Sequence, residues 1–235
     1  MATPGQAAYH AAMCINFMPP GQRQLLSHFD LEAGDLLWPE ECWQDYLAPI
    51  ITKGRQGEAV LQLASYGMVP KRHQPAGVRI STMNARAETV GELFNYRRAW
   101  QQQSLCLVPM QHFYEPCYES GRAERWQIGM ADGSPFAVAG LWRAWSEPDG
   151  SISHAFTQIT INADDHPLMK RMHRPGDEKR SLVIVPPDQY THWLNSPSPE
   201  QARSFLANYP AELMTATPAP VKPKEAAPVQ GGLFD

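Results

Sequence analysis

The sequence predicts a single α+β domain built on a mainly antiparallel, barrel-like β core with peripheral helices. The chain has 235 residues, which is enough for one domain with a sizeable core and short for two. Its β-rich runs follow one another closely and are separated by turn-rich stretches such as Pro148-Asp149-Gly150 rather than by long helices. This spacing favours antiparallel pairing, because parallel strands need longer crossovers.

The predicted strands fill the middle of the chain, and the predicted helices lie around them. Gln56 to Ala64 alternates as a half-buried strand does, whereas Leu105 to Val108 is a short apolar run. The other predicted strands are Val78 to Met83, Arg125 to Met130, Phe136 to Trp145, His154 to Asn162 and Ser181 to Val185. The predicted helices are Gly21 to Phe29, Ala87 to Gln103, Asp188 to Asn195 and Pro199 to Asn208. Near-helical spacing of apolar residues supports the second helix, and Ser198 before a proline is a good start for the last.

The two ends of the chain differ in composition from the middle. Residues 1–12 are small, polar and Ala-rich and lead to Met13, so we expect an extension that either precedes the native start or is removed. The domain should then span residues 13–212. From about Thr215 the chain is rich in Pro, Ala and Lys, so residues 213–235 are predicted to be a disordered tail.

The net charge of −4 hides an uneven distribution of charge along the chain. Between Gln24 and Thr52 there are six acidic residues and no Lys or Arg, whereas Lys53 to Arg98 holds eight basic residues against three acidic ones. A nucleic-acid-binding surface should therefore be a local groove.

The four cysteines, Cys14, Cys42, Cys106 and Cys117, form no Cys-x-x-Cys pair and follow no secretory segment. We therefore expect a reduced, cytoplasmic protein. A zinc site built from Cys106, His112 and Cys117 would lack the usual ligand spacing, so we predict no metal and no cofactor. No apolar run reaches transmembrane length, so we predict no membrane role, and we expect a monomer.

A cluster of polar side chains lies where a predicted strand gives way to a predicted helix. Between Met83 and Thr89, the residues Asn84, Arg86 and Glu88 place an amide, a guanidinium and a carboxylate within five positions. Polar side chains that cluster at the end of a strand or helix are typical of a binding or catalytic site. An ordinary capped helix, with Asn84 in the turn and Glu88 near the helix dipole, gives the same pattern.

Further motifs follow in order along the chain. They are Met13-Cys14, Cys106-Leu-Val-Pro, His112-Phe-Tyr114-Glu115, Gly140-Leu-Trp142 and Pro167-Leu-Met-Lys-Arg-Met-His173-Arg-Pro175. Together with Asn-Ala-Arg-Ala-Glu-Thr at residues 84–89, they resemble the SOS-response-associated peptidase (SRAP) family, the abasic-site processing proteins, over about Met13 to Asn208. The resemblance implies an enzyme that acts on abasic sites in single-stranded DNA, with a related peptidase activity that exposes a cysteine.

The resemblance implies four catalytic residues, which are Cys14, Asn84, Glu115 and His173. A cysteine at a chain's N-terminus offers a thiol and an α-amine, and an amine with a pKa of about 7.7 to 8.0 can form a Schiff base with an aldehyde. The thiol can then close onto the imine to give a durable thiazolidine ring. The alternative for Cys14 is a small buried hydrophobe, the commoner fate of a free cysteine.

Glu115 and His173 also make chemical sense apart from the resemblance. Glu115 follows three large residues, and a carboxylate in apolar surroundings is a candidate general acid or base, with a partnered structural glutamate as the alternative. His173 lies among Lys170, Arg171 and Arg174, whose positive charge favours the neutral imidazole. A histidine on a basic surface loop fits the same pattern.

The predicted DNA contacts come from three segments. Tyr66 stands where the family has the tryptophan of a Trp-Gly-Leu-Ile-Pro type motif, and it could stack on a base or pack in the core. Lys71 and Arg72 follow as candidate phosphate contacts, with a solvated turn as the alternative. Arg174 is a further candidate, next to His173.

The chain departs from the family pattern at two places. The family commonly has Met-Cys-Gly-Arg-Phe at its start, and here Ile15 and Asn16 replace the glycine and the arginine. Arg86 or Arg79 would therefore have to supply the phosphate contact of that arginine. Pro116 stands where the family usually has tryptophan, which removes one stacking contact.

The end of the predicted tail carries a second resemblance. Gln230, Leu233 and Phe234 match the Gln-x-x-Leu-Phe peptide by which many bacterial repair proteins bind the replicative sliding clamp. An exposed Leu-Phe pair on a disordered segment has no core to join, so these residues are candidate clamp contacts. A five-residue pattern also arises by chance.

Two other functions fit the same residues. The chain could be a non-catalytic single-stranded-DNA-binding or recruitment module that uses the polar cluster as a phosphate nest. It could also be a cysteine hydrolase with a dyad of Cys14 and His173. If the protein acts on DNA, we expect it in the cytoplasm and on the nucleoid when bound.

Overall fold

The computed structural model describes residues 16–221. The strands are β1 (Phe17–Met18), β2 (Leu47–Lys53), β3 (Ala59–Tyr66), β4 (Asn84–Arg86), β5 (Leu105–Met110), β6 (His112–Cys117), β7 (Glu124–Met130), β8 (Phe136–Ser146), β9 (Ile152–Asn162), β10 (Arg180–Leu182), β11 (Ile184–Val185) and β12 (Met214–Pro218). The helices are α1 (Gln22–Phe29), α2 (Arg97–Gln101), α3 (Tyr190–Leu194) and α4 (Pro199–Arg203). Short 3-10 turns occupy Lys71–His73, Met169–Arg171, Pro187–Gln189 and Ala211–Leu213. None of the helices in this part of the chain has the length and apolar character needed to cross a membrane.

Five strands close into a barrel in the order β9, β3, β2, β5 and β8, and the pairing of β8 with β9 completes the ring. Four of these pairings are antiparallel, whereas β3 and β9 run parallel. The short strands β4 and β10 add to β9, and β11 adds to β8. The predicted barrel-like, mainly antiparallel core is thereby confirmed, with a mixed pairing at β9.

A second sheet has four antiparallel strands in the order β1, β6, β7 and β12. Only Gln111 separates β5 of the barrel from β6 of this sheet, so the chain passes directly from one sheet to the other. The edges of the second sheet are β1 and β12, the first and last strands of the described chain. Its central strand β6 carries Glu115.

The barrel wall separates two hydrophobic clusters, because alternate residues of a strand point to opposite faces. On β5, Cys106, Val108 and Met110 join one cluster, and Leu105 and Leu107 join the other. The first cluster includes residues of all four strands of the second sheet, and the second includes residues of α2, α3 and α4. Both faces of β5 are therefore buried, and each large apolar side chain buried in this way contributes about 1.5–3 kcal/mol.

Gly140 lies where β8 passes between β5 and β9. It is opposite Cys106 on one side and Gln158 on the other. A Cβ at this position would lie 2.6 Å from the carbonyl oxygen of Thr157 and 2.9 Å from Sγ of Cys106. Glycine is therefore required for the two neighbouring strands to approach β8 this closely, which explains its place in the Gly-Leu-Trp motif.

The bounds predicted for the strand at Val78 to Met83 and for the helix at Ala87 to Gln103 were wrong. The strand falls later, at Asn84–Arg86, and residues 87–96 form successive turns before the short helix α2. Tertiary contacts hold the turns, since the N–H of Ala87 donates to the Thr160 carbonyl at 2.8 Å and Arg203 donates to the Ala87 carbonyl at 2.8 Å. Gly91 within the segment also weakens helix formation.

The boundary predicted between domain and tail was also wrong. Residues Met214–Pro218, placed in the disordered tail, form β12 and pair with β7 from Met130 to Trp126. The proline- and alanine-rich composition hid this strand, because an edge strand needs only one pairing partner and few large side chains. The helix predicted from Pro199 has the expected cap, since Ser198 accepts a hydrogen bond from the N–H of Gln201 at 3.2 Å.

Candidate active site

Glu115 lies on the face of β6 that points into the core. Its neighbours on that face, Phe113 and Cys117, are both buried, as the alternation of a strand requires. The carboxylate is itself buried, and a carboxylate is rarely found there without a charged or hydrogen-bonding partner.

His173 reaches Glu115 because its backbone is fastened to the end of β6. The N–H of His173 donates to the carbonyl of Pro116 at 2.7 Å, and Met172 forms a bridge with Cys117. Nζ of Lys179 donates to the His173 carbonyl at 3.2 Å. The backbone φ of His173 is 64°, in the left-handed region that residues other than glycine rarely adopt. Strain of this kind persists only where surrounding contacts impose it, and it is often found at functional sites.

The side chains of Glu115 and His173 meet in the core. Oε2 of Glu115 lies 3.1 Å from Nε2 of His173, and the two side chains are 4% and 2% exposed. Neither ring nitrogen of His173 forms a hydrogen bond of regular geometry within residues 16–221, so the 3.1 Å approach to Glu115 is a contact rather than an aligned hydrogen bond. A carboxylate and an imidazole this close need only a small reorientation to exchange a proton. The pair can therefore hold and transfer a proton, which is what general acid–base catalysis requires.

Asn84 is the first residue of β4 and pairs with Gln158 on β9. The hydroxyl of Tyr96 donates to the Asn84 carbonyl at 3.1 Å. Burial raises the pKa of Tyr96 to about 12, so this hydroxyl keeps its proton at neutral pH and remains a donor. The backbone of Asn84 is thus held from both sides, and its side chain is partly exposed.

The prediction that Tyr66 stacks on a DNA base was wrong. Its side chain is 0% exposed and stacks on Phe156 with the ring centres 5.2 Å apart. Phe17 meets the same ring edge-on at 5.3 Å, and the Tyr66 hydroxyl donates to Oε1 of Gln158 at 3.0 Å. Tyr66 is therefore a core residue, which was the alternative that its glycine- and proline-rich context left open.

This aromatic cluster, Phe17, Tyr66 and Phe156, connects the strand of Glu115 with the strand of Asn84. Phe17 pairs with Phe113, two residues before Glu115 on β6. Tyr66 binds the side chain of Gln158, which lies opposite Asn84. The structure thus brings Glu115 and His173 into contact and ties Asn84 to them through packed side chains.

Two of the predicted phosphate contacts are engaged in ion pairs. Nζ of Lys71 lies 3.3 Å from the carboxylate of Asp45. Arg72 donates to Glu147 at 2.9 Å and to Ser153 at 2.9 Å. Both side chains are exposed to some degree, but a phosphate would have to compete with a carboxylate that is already in place.

Arg86 is paired in the same way. Its guanidinium lies 2.7 Å from Glu178, which also accepts from the buried Arg180 at 2.8 Å. Arg180 makes two further contacts of 2.8 Å with the carboxylate of Glu88. Burial opposes ionisation of Glu88, but its hydrogen bonds, chiefly with Arg180, hold its pKa below the usual range. Glu88 is thus a partner of Arg180, and Arg86 joins the same network through Glu178.

Arg79 and Arg174 differ from these three cations. Both are exposed, and neither forms an ion pair within the described residues. Of the predicted phosphate contacts, these two are already available to an incoming strand.

A polar network around Asn16 was not predicted from the sequence. The side-chain amide of Asn16 donates to Glu41, and Arg125 donates to the same oxygen at 2.6 Å. The guanidinium carbon of Arg125 lies 3.2 Å from the centre of the Tyr114 ring, and the N–H of Tyr114 donates to the Asn16 carbonyl at 3.3 Å. Asn16, which stands where the family pattern has arginine, therefore takes part in a hydrogen-bond network with Glu41 and Arg125. The segment from Gln24 to Thr52 has acidic residues but no Lys or Arg, so a cationic partner for Glu41 had to come from elsewhere in the chain. The sequence did not indicate which residue it is.

Several predicted residues lie outside the described part of the chain. They are Cys14, Gln230, Leu233 and Phe234. The described cysteines Cys42, Cys106 and Cys117 are buried. Burial raises the pKa of Cys42 to about 12, with a smaller effect of the charge of Glu41, and burial also raises the pKa of Cys106. Because the thiolate is the nucleophile, neither Cys42 nor Cys106 is suited to attack at neutral pH.

Comparison with known proteins shows which family the chain resembles. The family model for the SOS response associated peptidase (SRAP) matches residues 37–223. Among curated relatives, abasic site processing protein YoaM of Bacillus subtilis is 30% identical over 154 residues, which is 64% of each chain. Abasic site processing protein YoqW of the same organism is 28% identical over 64% of this chain and 65% of its own. The chain thus spans somewhat less than two thirds of the length of either relative.

Solved structures show the same fold. A protein from Bordetella bronchiseptica superposes with a TM-score of 0.79 at 31% identity, covering 88% of this chain and 100% of its own. A protein from Bacteroides thetaiotaomicron gives a TM-score of 0.70 at 21% identity, covering 86% of this chain and 90% of its own. In this chain, a barrel flanked by a second sheet carries a buried contact between a glutamate and a histidine. The chain belongs to the SOS response associated peptidase (SRAP) family.

Proposed function

We propose that the protein captures the ring-opened aldehyde of an abasic site in single-stranded DNA as a covalent adduct on Cys14. We further propose that autoproteolytic cleavage of the Met13–Cys14 bond first exposes that cysteine. The observation that carries this proposal is the buried contact of Glu115 with His173 at 3.1 Å, in a chain of this family. The names of the relatives as abasic site processing proteins support the choice of substrate.

Chain connectivity limits how far Cys14 can lie from Asn16, which contacts the strand of Glu115. The carbonyl of Asn16 accepts from the N–H of Tyr114 at 3.3 Å, and Tyr114 directly precedes Glu115. Cys14 is two residues upstream of Asn16, and an extended chain spans at most about 3.6 Å per residue. The Cα atoms of Cys14 and Asn16 are therefore within about 7 Å of each other.

The proposed capture needs neither an oxidant nor a cofactor. The neutral α-amine of Cys14 adds to the aldehyde carbon, and the hydroxyl of the resulting carbinolamine leaves as water to form an imine. The thiol sulfur then adds to the imine carbon, and the thiol proton ends on the nitrogen. The product is a thiazolidine and one water is released. An open imine is hydrolysed readily, so ring closure is what makes the adduct durable.

The site residues have distinct parts in this scheme. Glu115 delivers the proton to the departing hydroxyl and receives it again on reversal. His173 accepts the proton of the closed sugar's C1′ hydroxyl as the bond from C1′ to the ring oxygen breaks, and a proton returns to that oxygen to form the 4′ hydroxyl. Asn84 holds the opened sugar by hydrogen bonds from its amide. Autoproteolysis adds one water across the Met13–Cys14 bond, which releases residues 1–13 and leaves the new α-amine on Cys14.

Intact mass and adduct formation test the proposal together. The purified protein should lack the mass of residues 1–13 and should form a heat- and SDS-stable band with abasic single-stranded DNA. Cys14→Ala should form no stable band, because it lacks the thiol that closes the thiazolidine ring. Cys117→Ala, which removes a buried thiol of the same kind, should keep the band.

The opposite pattern would overturn the proposal. A stable band with Cys14→Ala that disappears with Cys117→Ala would assign the chemistry to another residue. Binding of abasic DNA with no stable band in any variant would indicate a recruitment module. Turnover of added peptides or esters that depends on Cys14 and His173 would indicate a hydrolase.

A further inference from the structure

A groove with several arginines lies near Asn84, one of the candidate site residues. It runs between α2 and β8, has a volume of about 510 Å³ and is lined among others by Met68, Phe94, Arg97, Arg98, Trp142 and Arg143. We call it the arginine groove. None of its lining residues is acidic.

The three arginines of this groove have no carboxylate partner. Arg97, Arg98 and Arg143 form no ion pair within residues 16–221. Seven basic residues elsewhere in the described chain do have such partners, and these are Lys71, Arg72, Arg86, Arg122, Arg125, Arg171 and Arg180. Unlike these, the three arginines of the groove line one cavity together without a carboxylate to compensate them.

The charges in the groove also repel one another. Burial lowers the pKa of Arg143, and the nearby charge of Arg98 lowers it further. Like charges held this close disfavour each other, and an anion bound between them would remove that cost. The arrangement is unfavourable for the empty groove and favourable for an anionic ligand.

Aromatic rings hold two of the guanidinium groups in place. The guanidinium carbon of Arg143 lies 3.8 Å from the centre of the Trp145 ring, and that of Arg97 lies 5.6 Å from the centre of the Phe94 ring. Stacking on an aromatic face fixes the direction of a guanidinium and leaves its N–H donors free for phosphate. Phe94 is itself 81% exposed, which no core packing explains.

One hydrogen bond connects a wall of the groove to Asn84. Tyr96 directly precedes Arg97, and its hydroxyl donates to the Asn84 carbonyl at 3.1 Å. On the other wall, Nε1 of Trp145 donates to the carbonyl of Met68 at 3.2 Å. A strand whose abasic sugar lies at Asn84 therefore has the arginine groove next to it.

We propose that the arginine groove binds the sugar–phosphate backbone of the single strand beside the abasic site, with Phe94 as a stacking surface for one base. This inference rests on the proposed function, since it names where the captured strand runs. A strand fits better than a small anion, because it uses three separate cations and an exposed aromatic ring at once. Stacking on an aromatic side chain accepts any base, so the groove would bind without sequence preference.

The test is the salt dependence of DNA binding by the full chain. The probe is a labelled single strand that carries a tetrahydrofuran abasic analogue, which has no aldehyde and so reports binding without capture. The variant combines Arg97→Gln, Arg98→Gln and Arg143→Gln. The control combines Arg23→Gln, Lys53→Gln and Arg55→Gln, which remove the same charge from exposed positions elsewhere.

The groove variant should bind more weakly, and its slope of log affinity against log salt should fall by about 2, since each phosphate contact to a single strand contributes about 0.7. The control should keep nearly the wild-type slope. Equal slopes for wild type and groove variant, or equal losses in variant and control, would overturn the proposal. Inorganic pyrophosphate that competes with the labelled strand as strongly as unlabelled DNA does, at equal phosphate concentration, would also overturn it. The groove would then be a site for a small anion. Because the probe cannot form an adduct, a failure of the Cys14 chemistry would leave this result unchanged.

Discussion

The carboxylate of Glu115 and the imidazole of His173 are buried together at 3.1 Å, and each would be costly there alone. Removing one member of a buried polar pair typically costs about 1–3 kcal/mol, because the other keeps its desolvation cost without a partner. A substitution that keeps the shape and a polar atom at the same place therefore separates catalysis from folding better than alanine does.

For this reason Glu115→Gln should slow adduct formation while the protein stays folded. Losing one positioned acid–base group typically reduces a rate by ~10²-fold to ~10⁴-fold. Single-turnover rates of adduct formation with abasic single-stranded DNA measure the effect, and circular dichroism checks the fold. Glu119→Gln is the matched control, because Glu119 is an exposed glutamate just beyond β6 that pairs with Arg171. A Glu115→Gln rate within a few-fold of wild type would remove Glu115 from the mechanism.

At the scale of single residues, the sequence predicted some members of the candidate site and misplaced others. The sequence indicated Glu115 and His173 as site residues, and the structure brings them into contact. It could not place Tyr66, because a tyrosine beside glycine and proline fits a core position or a surface equally well. It could not show that Arg86 and Arg72 are paired, since Glu178 and Glu147 lie far from them in the chain.

At the scale of single elements, β8 depends on the absence of a side chain at Gly140. Gly140→Ala should lower the free energy of unfolding by about 1–3 kcal/mol, the usual cost of overpacking a core. The added Cβ would lie 2.6 Å from a backbone oxygen, which cannot rotate away as a side chain could. Urea denaturation followed by fluorescence measures the change.

The control for Gly140 is Gly21→Ala. The nearest atom to a Cβ at Gly21 is 3.9 Å away, so no steric overlap arises there. Its cost should be limited to the loss of a favoured helix N-cap residue. Equal destabilisation by the two variants would show that close strand packing is not what Gly140 permits.

Glu147 connects three elements, and its acidity should be visible in stability. It follows β8 and accepts hydrogen bonds from Ser153 on β9 and from Arg72, and His73 lies 3.1 Å away. These contacts, Ser153 first, lower its pKa from 4.5 to about 2. A carboxylate whose pKa is lowered by folding stabilises the fold above its unfolded pKa, and that contribution is lost as the pH falls through its folded pKa.

Glu147→Gln should therefore make stability less dependent on pH between about pH 4.5 and pH 2. Urea midpoints measured across this window for wild type and variant give the comparison. Glu32→Gln, at an exposed position, serves as control and should keep the wild-type dependence. Parallel curves for wild type and Glu147→Gln would mean that the carboxylate gains nothing from its partners on folding.

The elements themselves were predictable where the local pattern and the tertiary fold agree. Alternating or continuously apolar runs gave β5, β8 and β9 nearly in full. The segment 87–96 has helical spacing, but Ala87 at its start binds Thr160 through its N–H and Arg203 through its carbonyl, which no local pattern can indicate. The strand β12 was missed because its pairing with β7 decides its structure.

At the scale of the whole molecule, the predicted clamp peptide at the end of the chain stays a prediction. Gln230, Leu233 and Phe234 lie outside the described residues. If they bind the sliding clamp, a labelled peptide of residues 226–235 should saturate purified clamp with micromolar affinity, about −8 kcal/mol, since ordering a free peptide opposes binding. The same peptide with Leu233→Ala and Phe234→Ala is the control. Absence of saturable binding, or equal binding by the control, would show that the motif arose by chance.

The placement of β1 and β12 at the two edges of one sheet also bears on the order of events during synthesis. A ribosome releases the N-terminal end first, at about 5–20 residues per second. β1 must wait for β6, and β7 must wait for residues 214–218, before the sheet that carries Glu115 is complete. A nascent chain therefore cannot complete this sheet until residue 218 has emerged. A chain that stops before residue 214 would leave β7 with an open edge that can pair with other chains.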